Sequence, residues 1–326
     1  MEKHHRGLID LHLHLDGSLS LSSVRQLAAL SGVLLPEEEA LLRQLRVQPG
    51  CRDLNEYLEK FAFPCSLLQR EDCIALAVEN LCRELAQQGL LYAEIRFAPQ
   101  LHLQQGLTQE QVVDAACEGL SRSPLPAGLI LCAMRGGDNR EHNLETVRVA
   151  ARNLSRGVCA CDLAGAEALF PTRDFAEVFA LAQQLGVPFT IHAGEADGPE
   201  SIRCALSYGA KRIGHGVRCL EDSSLVSQLA EEGVTLECCP TSNLQTCMFP
   251  DYAAFPLKRL LESGVRATVN TDNMTVSGVT LSHELAALEL TSAQARQVAE
   301  NAARAAFAPE SLRNALLADI ARVFED

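Results

Sequence analysis

The stretch REDCIALAVENLCRELAQQGLLYAEIRFAP, residues 70–99, decides the fold of this chain. Its first part carries five apolar residues at helical spacing: Ile74, Ala77, Val78, Leu81 and Leu85. Gly89 follows, and glycine suits the left-handed residue that closes a helix. The run LLYAEIRFAP after it has the apolar character of a buried strand. The stretch therefore predicts an amphipathic helix, a glycine turn and a buried strand in succession.

The same joint of helix, glycine and strand recurs along the chain. It precedes LILCAM, VCACDLAG, VPFTIHAGE, AKRIGHG, VTLECCPTSN and VRATVNTD, at Gly128, Gly157, Gly186, Gly209, Gly233 and Gly264. With the opening run LIDLHLH, residues 8–14, the strand candidates number eight. Eight alternations of strand and helix are typical of an α/β protein of the (β/α)8 TIM barrel type. A doubly wound open sheet is the alternative, but the chain lacks the glycine-rich nucleotide loop that usually accompanies it.

The segment between the first and second strands, residues 18–90, is too long for one crossover. We expect a helical insertion there, lying over the barrel mouth, within a single barrel domain of residues 1–326. Inside it, DLNEYLEKFAF sets Leu54, Leu58 and Phe61 on one helix face. This face is read as helix packing or as the apolar wall of a substrate pocket.

The composition bounds the class of protein and its partners. The 326 residues are 47% hydrophobic and 21% charged, which is typical of a soluble globular protein. No run is long and apolar enough to span a membrane, and the opening MEKHHRG does not resemble a secretory signal, so we expect a cytoplasmic protein. The net charge of −14, without a lysine or arginine cluster, argues against a nucleic-acid partner. A small-molecule substrate fits this balance.

The thirteen cysteines are scattered and odd in number, which favours reduced, buried thiols over a disulfide framework. Two close pairs invite a zinc interpretation, Cys159 with Cys161 and Cys238 with Cys239. Neither has the C-x-x-C spacing of a structural zinc site, so core packing is the preferred interpretation.

Histidine and aspartate collect where the predicted strands end. In the opening run His12 and His14 project from the same strand face. His192 ends the fifth strand candidate and Asp272 the eighth. Active-site groups of a barrel come from these carboxyl ends, so the four side chains make a candidate N3O set for a catalytic zinc ion. A bound divalent cation lowers the pKa of its water toward about 7, which makes hydroxide available at neutral pH.

Two further residues are candidates for proton transfer. His215 lies on the next strand after His192, where we expect it to remain unligated, to orient the hydroxide and to accept its proton. Glu195 is a candidate proton donor, and a helix cap or first-turn acid is the alternative for it. Asp272 is expected to accept a hydrogen bond from the water as well as to bind the metal. One metal is favoured over two. Barrels of this kind that hold two metals typically need a bridging carboxylate, often a modified lysine at the end of the fourth strand. Here that end reads DLAG and contains no lysine. The remaining histidines receive no metal role: His4, His5, His102, His142 and His283.

The chain resembles the adenosine deaminase family of metal-dependent barrel hydrolases. The resemblance runs through HLHLDGSL, EIRFAP, DLAGAE, TIHAGE, GPESI, RIGHGV, CPTSN and NTDN, in family order. It implies a hydrolytic deamination that gives inosine from adenosine, with one Zn²⁺ per chain. The implied zinc ligands are His12, His14, His192 and Asp272.

The resemblance also implies roles toward the purine and the sugar. Glu195 would protonate purine N1, and His215 would activate the hydroxide. The amide of Gly165 would meet N3, and Asp16 with His14 would meet the ribose hydroxyls.

The chain departs from the family pattern at two positions. Asn273 stands where many members have a second aspartate, and its amide can donate to purine N7. Ala166 in DLAGAE replaces an acid of the common DLAGDE. This second change bears on local polar contacts rather than on the zinc chemistry.

The expected substrates are adenosine and 2′-deoxyadenosine. A carboxylate at Asp16 would repel a 5′-phosphate, because unit charges about 4 Å apart interact by about 4 kcal/mol near a protein surface. An adenine or N6-modified adenine deaminase is the alternative enzyme, and a catalytically silent purine-binding protein is the alternative from another class. The sequence leaves the oligomeric state open.

Overall fold

The computed structural model describes residues 7–325. Each predicted strand run contains or overlaps one strand of the structure. The strands are β1 Leu8–His14, β2 Leu90–Phe97, β3 Ala127–Met134, β4 Val158–Ala164, β5 His192–Ala193, β6 Arg212–His215, β7 Thr235–Cys238 and β8 Arg266–Val269. All their pairings are parallel, in the orders β1-β2-β3-β4 and β5-β6-β7-β8.

Two parallel bridges join these half-sheets into a closed barrel. Cys161 in β4 bridges Phe189, just before β5, and Leu13 in β1 bridges Asp272, just after β8. Backbone hydrogen bonds reinforce the second junction, where His14 N–H donates to Asp272 at 2.7 Å and Asp272 N–H donates to His12 at 2.8 Å. The predicted (β/α)8 barrel is confirmed, and its closure brings the first and last strands together.

Helices surround the barrel and separate its strands. They are α1 Leu21–Ser31, α2 Glu38–Leu45, α3 Leu54–Leu58, α4 Ala62–Leu67, α5 Glu71–Gln87, α6 Gln109–Ser121, α7 Arg140–Asn153, α8 Ala176–Leu185, α9 Pro199–Ser207, α10 Ser223–Glu232, α11 Pro240–Gln245, α12 Leu257–Glu262, α13 Met274–Ser277, α14 Leu281–Ala287, α15 Ser292–Ala305 and α16 Glu310–Glu325. Short 3₁₀-helices lie at Glu59–Phe61, Pro99–His102, Leu154–Arg156, Thr172–Phe175 and Val217–Glu221. Within residues 7–325, none of the helices has the length and apolar character needed to cross a membrane.

The helix that decided the prediction forms as expected. The five apolar residues of the 70–99 stretch are buried on one side of α5, and Gly89 adopts a positive φ of 83° before β2 begins. Helix α5 packs on α6 and β2, so it belongs to the outer layer of the barrel. The helices that precede it, α1 to α4, occupy the long segment after β1. The expected span of 18–90 therefore includes one helix of the barrel itself.

The barrel interior below the mouth holds paired charges rather than an entirely apolar core. The guanidinium of Arg96 contacts Asp162 at 2.7 Å and Glu237 at 2.8 Å, and all three side chains are fully buried. Arg212 contacts Glu237 at 2.7 Å and Glu94 at 2.5 Å. Buried charges persist only when they are paired and hydrogen-bonded, as these are. This network lies directly beneath the polar residues at the carboxyl ends of the strands.

Candidate active site

Barrel closure brings the four predicted metal ligands into one cluster. His12 and His14 come from β1, His192 from β5 and Asp272 from the turn after β8. Their nearest nitrogen and oxygen atoms all lie within 4.8 Å of one another. The Nε2 atoms of His14 and His192 are 3.3 Å apart. Asp272 Oδ1 lies 3.5 Å from His12 Nε2 and 3.4 Å from His14 Nε2.

The cluster has the properties of a cation site. His12 Nε2 is buried and has no hydrogen-bond partner among the described residues, although it faces the other donors. Burial lowers the pKa of His12 to about 4, so its imidazole is neutral at pH 7 and keeps a lone pair for a metal. Three imidazole nitrogens and a carboxylate oxygen are ligands that zinc accepts. The donor set therefore fits the metal that the sequence predicted.

Outer carboxylates orient two of these imidazoles. Glu237 Oε2 lies 2.8 Å from His12 Nδ1, and Asp162 Oδ2 lies 2.9 Å from His192 Nδ1. Both carboxylates also contact Arg96, which links them. Each carboxylate contacts the Nδ1 atom, so the Nε2 atom of the same ring points toward the other ligands of the cluster. Carboxylates placed in this way fix the orientation of histidine rings in metal sites. Sequence reasoning missed these three residues, although charged side chains inside apolar strands were a visible signal.

A second group of potential ligands overlaps the first and consists of His12, His215, Cys239 and Asp272. Burial raises the pKa of the Cys239 thiol well above its usual range. Cys239 does not line the cavity above the cluster, whereas His14 and His192 of the first group do. The histidine and aspartate set is the better cation site.

His215 lies beside the cluster with one face toward Glu195. Its Nε2 is 3.6 Å from Glu195 Oε2, and its Nδ1 is 3.3 Å from the amide nitrogen of Asn243. The backbone at His215 has a φ of 60°, and that at Asp272 has a φ of 59°. Residues other than glycine seldom adopt this backbone conformation, and strained residues of this kind are found more often at functional sites than elsewhere.

Glu195 is buried at the cavity wall, and burial raises its pKa above the ordinary value. Helix α9 begins at Pro199 and Gly198 is its cap residue, so the interpretation of Glu195 as a cap or first-turn acid is wrong. The loop that carries Glu195 is held by Glu167, which sequence reasoning missed. Glu167 accepts the backbone N–H groups of four successive residues: Gly194 at 2.8 Å, Glu195 at 3.0 Å, Ala196 at 2.7 Å and Asp197 at 3.0 Å.

A cavity of about 330 Å³ opens above the cluster. All the predicted substrate residues line it: His14, Asp16, Gly165 and Asn273. Its apolar wall includes Leu54, Leu58 and Phe61, which favours the pocket interpretation of that helix face. Tyr57, Met134 and Arg135 also line it and were not predicted.

The polar end of this cavity is shaped by close contacts. Burial raises the pKa of Asp16 to about 6, and the Cys65 thiol donates to Asp16 at 3.3 Å. A β-carbon at Gly17 would lie 1.8 Å from Asn273 Oδ1, so only glycine permits this approach. Asn273 is buried at the cavity wall as a result.

The other histidines stay apart from this cluster. Among the described residues, neither group of potential ligands includes His102, His142 or His283. His4 and His5 lie outside the described residues. All thirteen cysteines are free, and most are buried, so the expectation of reduced thiols in the core agrees with the structure.

A closed (β/α)8 barrel with an N3O donor set at the carboxyl ends of its strands has the architecture of a metal-dependent hydrolase. The family model described as "Adenosine deaminase" matches residues 8–323. An adenosine deaminase of Haemophilus ducreyi is 49% identical over 328 residues, covering 96% of this chain and 95% of that protein. The chain belongs to the adenosine deaminase family. The predicted family is confirmed, as is the enzyme class, a hydrolase acting on the C–N bond of a cyclic amidine.

Solved structures show the same fold. The adenine deaminase of Arthrobacter aurescens has a TM-score of 0.88 and 26% identity, covering 98% of this chain and 100% of that one. The N6-mAMP deaminase of Arabidopsis has a TM-score of 0.85 and 22% identity, covering 99% of this chain and 98% of that one. The family and the donor cluster together indicate a metal cofactor.

Proposed function

We propose that this enzyme converts adenosine to inosine and ammonia by hydrolytic deamination, with one Zn²⁺ per chain, and that it accepts 2′-deoxyadenosine as well. The observation that carries the proposal is the convergence of the N3O cluster, His215 and Glu195 on one cavity. A catalytic base and a catalytic acid next to a cation site are what this reaction requires.

Zinc, when bound by His12, His14, His192 and Asp272, supplies a water activated for attack at neutral pH. His215 accepts the proton of the attacking water. Glu195 gives a proton to purine N1 as C6 becomes tetrahedral. His215 then returns its proton to the amino group, the C6–N bond breaks and ammonia leaves. The proton of the new C6 hydroxyl restores the acid form of Glu195. Its pKa, raised by burial, keeps a fraction of the carboxyl protonated for this step.

The same cavity accounts for recognition of the nucleoside. We assign the Gly165 N–H to purine N3 and the Asn273 amide to N7. An amide can donate to N7 at any pH, whereas an aspartate would first have to be protonated. Asp16 and His14 bind the ribose hydroxyls, and the ionised form of Asp16 disfavours a 5′-phosphate.

The alternatives have weaker support. Similarity to an adenine deaminase keeps free adenine in the set of substrates to test, and the N6-mAMP deaminase shares the fold at lower identity. A catalytically silent purine-binding protein would be expected to lack a ligand, the acid or the base. Here Glu195, His215 and three of the four ligands line the cavity, and His12 completes the ligand cluster.

We further propose that residues 1–326 form one barrel domain that works in the cytoplasm on small molecules, without a nucleic-acid or membrane partner. The thirteen free thiols support a reducing compartment. The net charge of −14 disfavours binding to phosphate backbones.

A parallel assay of zinc-loaded protein with adenosine, 2′-deoxyadenosine, adenine and AMP tests the proposal. The fall in ultraviolet absorbance that accompanies conversion of the amino group to a carbonyl is expected with the two nucleosides and not with the others. Turnover of adenine or AMP alone would keep the deaminase and overturn the sugar assignment. Absence of turnover with any of the four would overturn the proposed reaction.

A further inference from the structure

A second cavity of about 220 Å³ adjoins the active-site cavity. Leu54, Ala166 and Glu195 line both spaces. The second space, here named the side cavity, lies between the start of α3 and the loops that follow β4, β5 and α11. Its other lining residues are Asp53, Asn55, Glu167, Ala168, Ala196, Thr246 and Met248. Asp53, Asn55 and Ala168 are exposed, so the side cavity reaches the surface.

The position of Ala166 relates this cavity to one atom of the purine. In the proposed function, Glu195 faces N1 and the Gly165 N–H faces N3. C2 is bonded to both nitrogens, so its substituent points between Glu195 and Gly165. Ala166 follows Gly165 directly and lines both cavities. The side chain of Ala166 is only a methyl group. With the purine in this orientation, Ala166 therefore places nothing larger than a methyl group between C2 and the side cavity.

We propose that the side cavity is a subsite for substituents at purine C2, and that Ala166 determines whether the enzyme accepts 2-substituted adenosines. This inference rests on the proposed function, because it uses the purine orientation assigned there. A water molecule takes about 30 Å³ of liquid, so 220 Å³ has room for a substituent of several heavy atoms. Leu54, Met248 and the alanine methyl groups favour an apolar group such as methoxy.

A larger side chain at position 166, which lies where the two cavities meet, tests the subsite. Wild type, Ala166→Val and Ala166→Leu are assayed with adenosine, 2-fluoroadenosine and 2-methoxyadenosine, and kcat/KM for each analogue is divided by that for adenosine. Each analogue is compared with itself between variants, so its electronic effect on the purine cancels. In wild type we expect the 2-methoxy ratio to stay within about tenfold of unity. Ala166→Leu should lower it by about 10- to 200-fold, the range for steric discrimination in a pocket, and Ala166→Val by less.

Fluorine is close to hydrogen in size, so the 2-fluoro ratio should change far less in both variants. Ala253→Leu, at an exposed position away from the cavities, is the matched control and should leave every ratio unchanged. Zinc content and thermal unfolding identify a variant that has not folded, and the wild-type ratios test the proposal without any variant.

The outcomes are separable. A wild-type enzyme that deaminates adenosine and 2-fluoroadenosine but rejects 2-methoxyadenosine would overturn the subsite and leave the proposed function standing, because 2-fluoroadenosine carries the electronic effect of a C2 substituent without its bulk. Equal loss for adenosine and 2-methoxyadenosine in folded Ala166→Leu would also overturn it. If wild type fails to deaminate adenosine itself, the proposed function fails, and the subsite fails with it.

Discussion

The carboxylate of Glu167 accepts the backbone N–H of Glu195 at 3.0 Å. The same carboxylate accepts three neighbouring N–H groups of the loop after β5 and the hydroxyl of Ser201 at 2.5 Å. A carboxylate has about four lone-pair positions, so these five donors use its whole capacity. The position of the proposed proton donor is therefore set by another acid, buried one strand away.

Glu167→Gln is expected to lower kcat by about 10- to 100-fold, because small displacements of a catalytic group have effects of this size. The amide nitrogen cannot accept, and it would face backbone donors that now have no partner. KM and zinc content should change little, since the ligands and the sugar contacts lie elsewhere. Glu177→Gln, at an exposed residue paired with Arg140, is the matched control. A wild-type kcat in folded, zinc-loaded Glu167→Gln would contradict this positioning role.

His192→Ala and Asp272→Ala are each expected to abolish turnover and reduce zinc content, because each removes one of four converging donors. Elemental analysis of the purified variants measures the metal directly. His142→Ala is the control, since His142 is exposed in α7 and lies outside the cluster. Full activity in wild-type protein stripped of metal by a chelator would exclude zinc from the reaction.

Asp162→Asn tests the outer support of the cluster. Asp162 Oδ2 lies 2.9 Å from His192 Nδ1, and Arg96 holds the same oxygen. Loss of such a carboxylate lowers metal affinity by about 10- to 100-fold. A competition titration with a zinc-binding dye measures this change, and unchanged affinity would show that the contact has no influence on the metal.

Much of this site was predictable because its information is local. A glycine follows α5, α8, α9, α10 and α12 before the next strand begins, each strand is a short and mostly apolar run, and the reactive side chains lie in the strands or just after their carboxyl ends. Gly128 departs from the predicted pattern, because it lies within β3 and does not close a helix. His12 and Asp272 are far apart in sequence, but closure of a barrel always brings its first and last strands together.

The contacts that sequence reasoning missed depend on geometry across the barrel. Arg96 was visible as a charge inside an apolar strand, yet its partners Asp162 and Glu237 come from strands on other sides of the interior. Glu167 acts through the path of a loop, which no periodicity reveals. The extent of the helical segment after β1 was judged from its length alone, so α5 was grouped with it.

The last prediction concerns stability and pH. Glu284 in α14 is fully buried and accepts the Thr241 N–H at 3.0 Å and 3.3 Å. Burial raises the pKa of Glu284 from 4.5 to about 8. Between these values the folded protein keeps a proton that the unfolded chain has lost, so the free energy of unfolding falls as pH rises. The stabilising contribution of Glu284 is complete below the unfolded pKa and is lost by about pH 8.

Glu284→Gln is neutral in both states and keeps an acceptor for Thr241. Its melting temperature relative to wild type should therefore rise by several degrees between about pH 5 and pH 8, since about 1 kcal/mol corresponds to about 2–4 °C in a chain of about 150–250 residues and to somewhat less in this longer chain. Glu262→Gln, at an exposed residue, should show no such change. A difference between Glu284→Gln and wild type that is independent of pH would mean that Glu284 is ionised in the folded protein throughout this range.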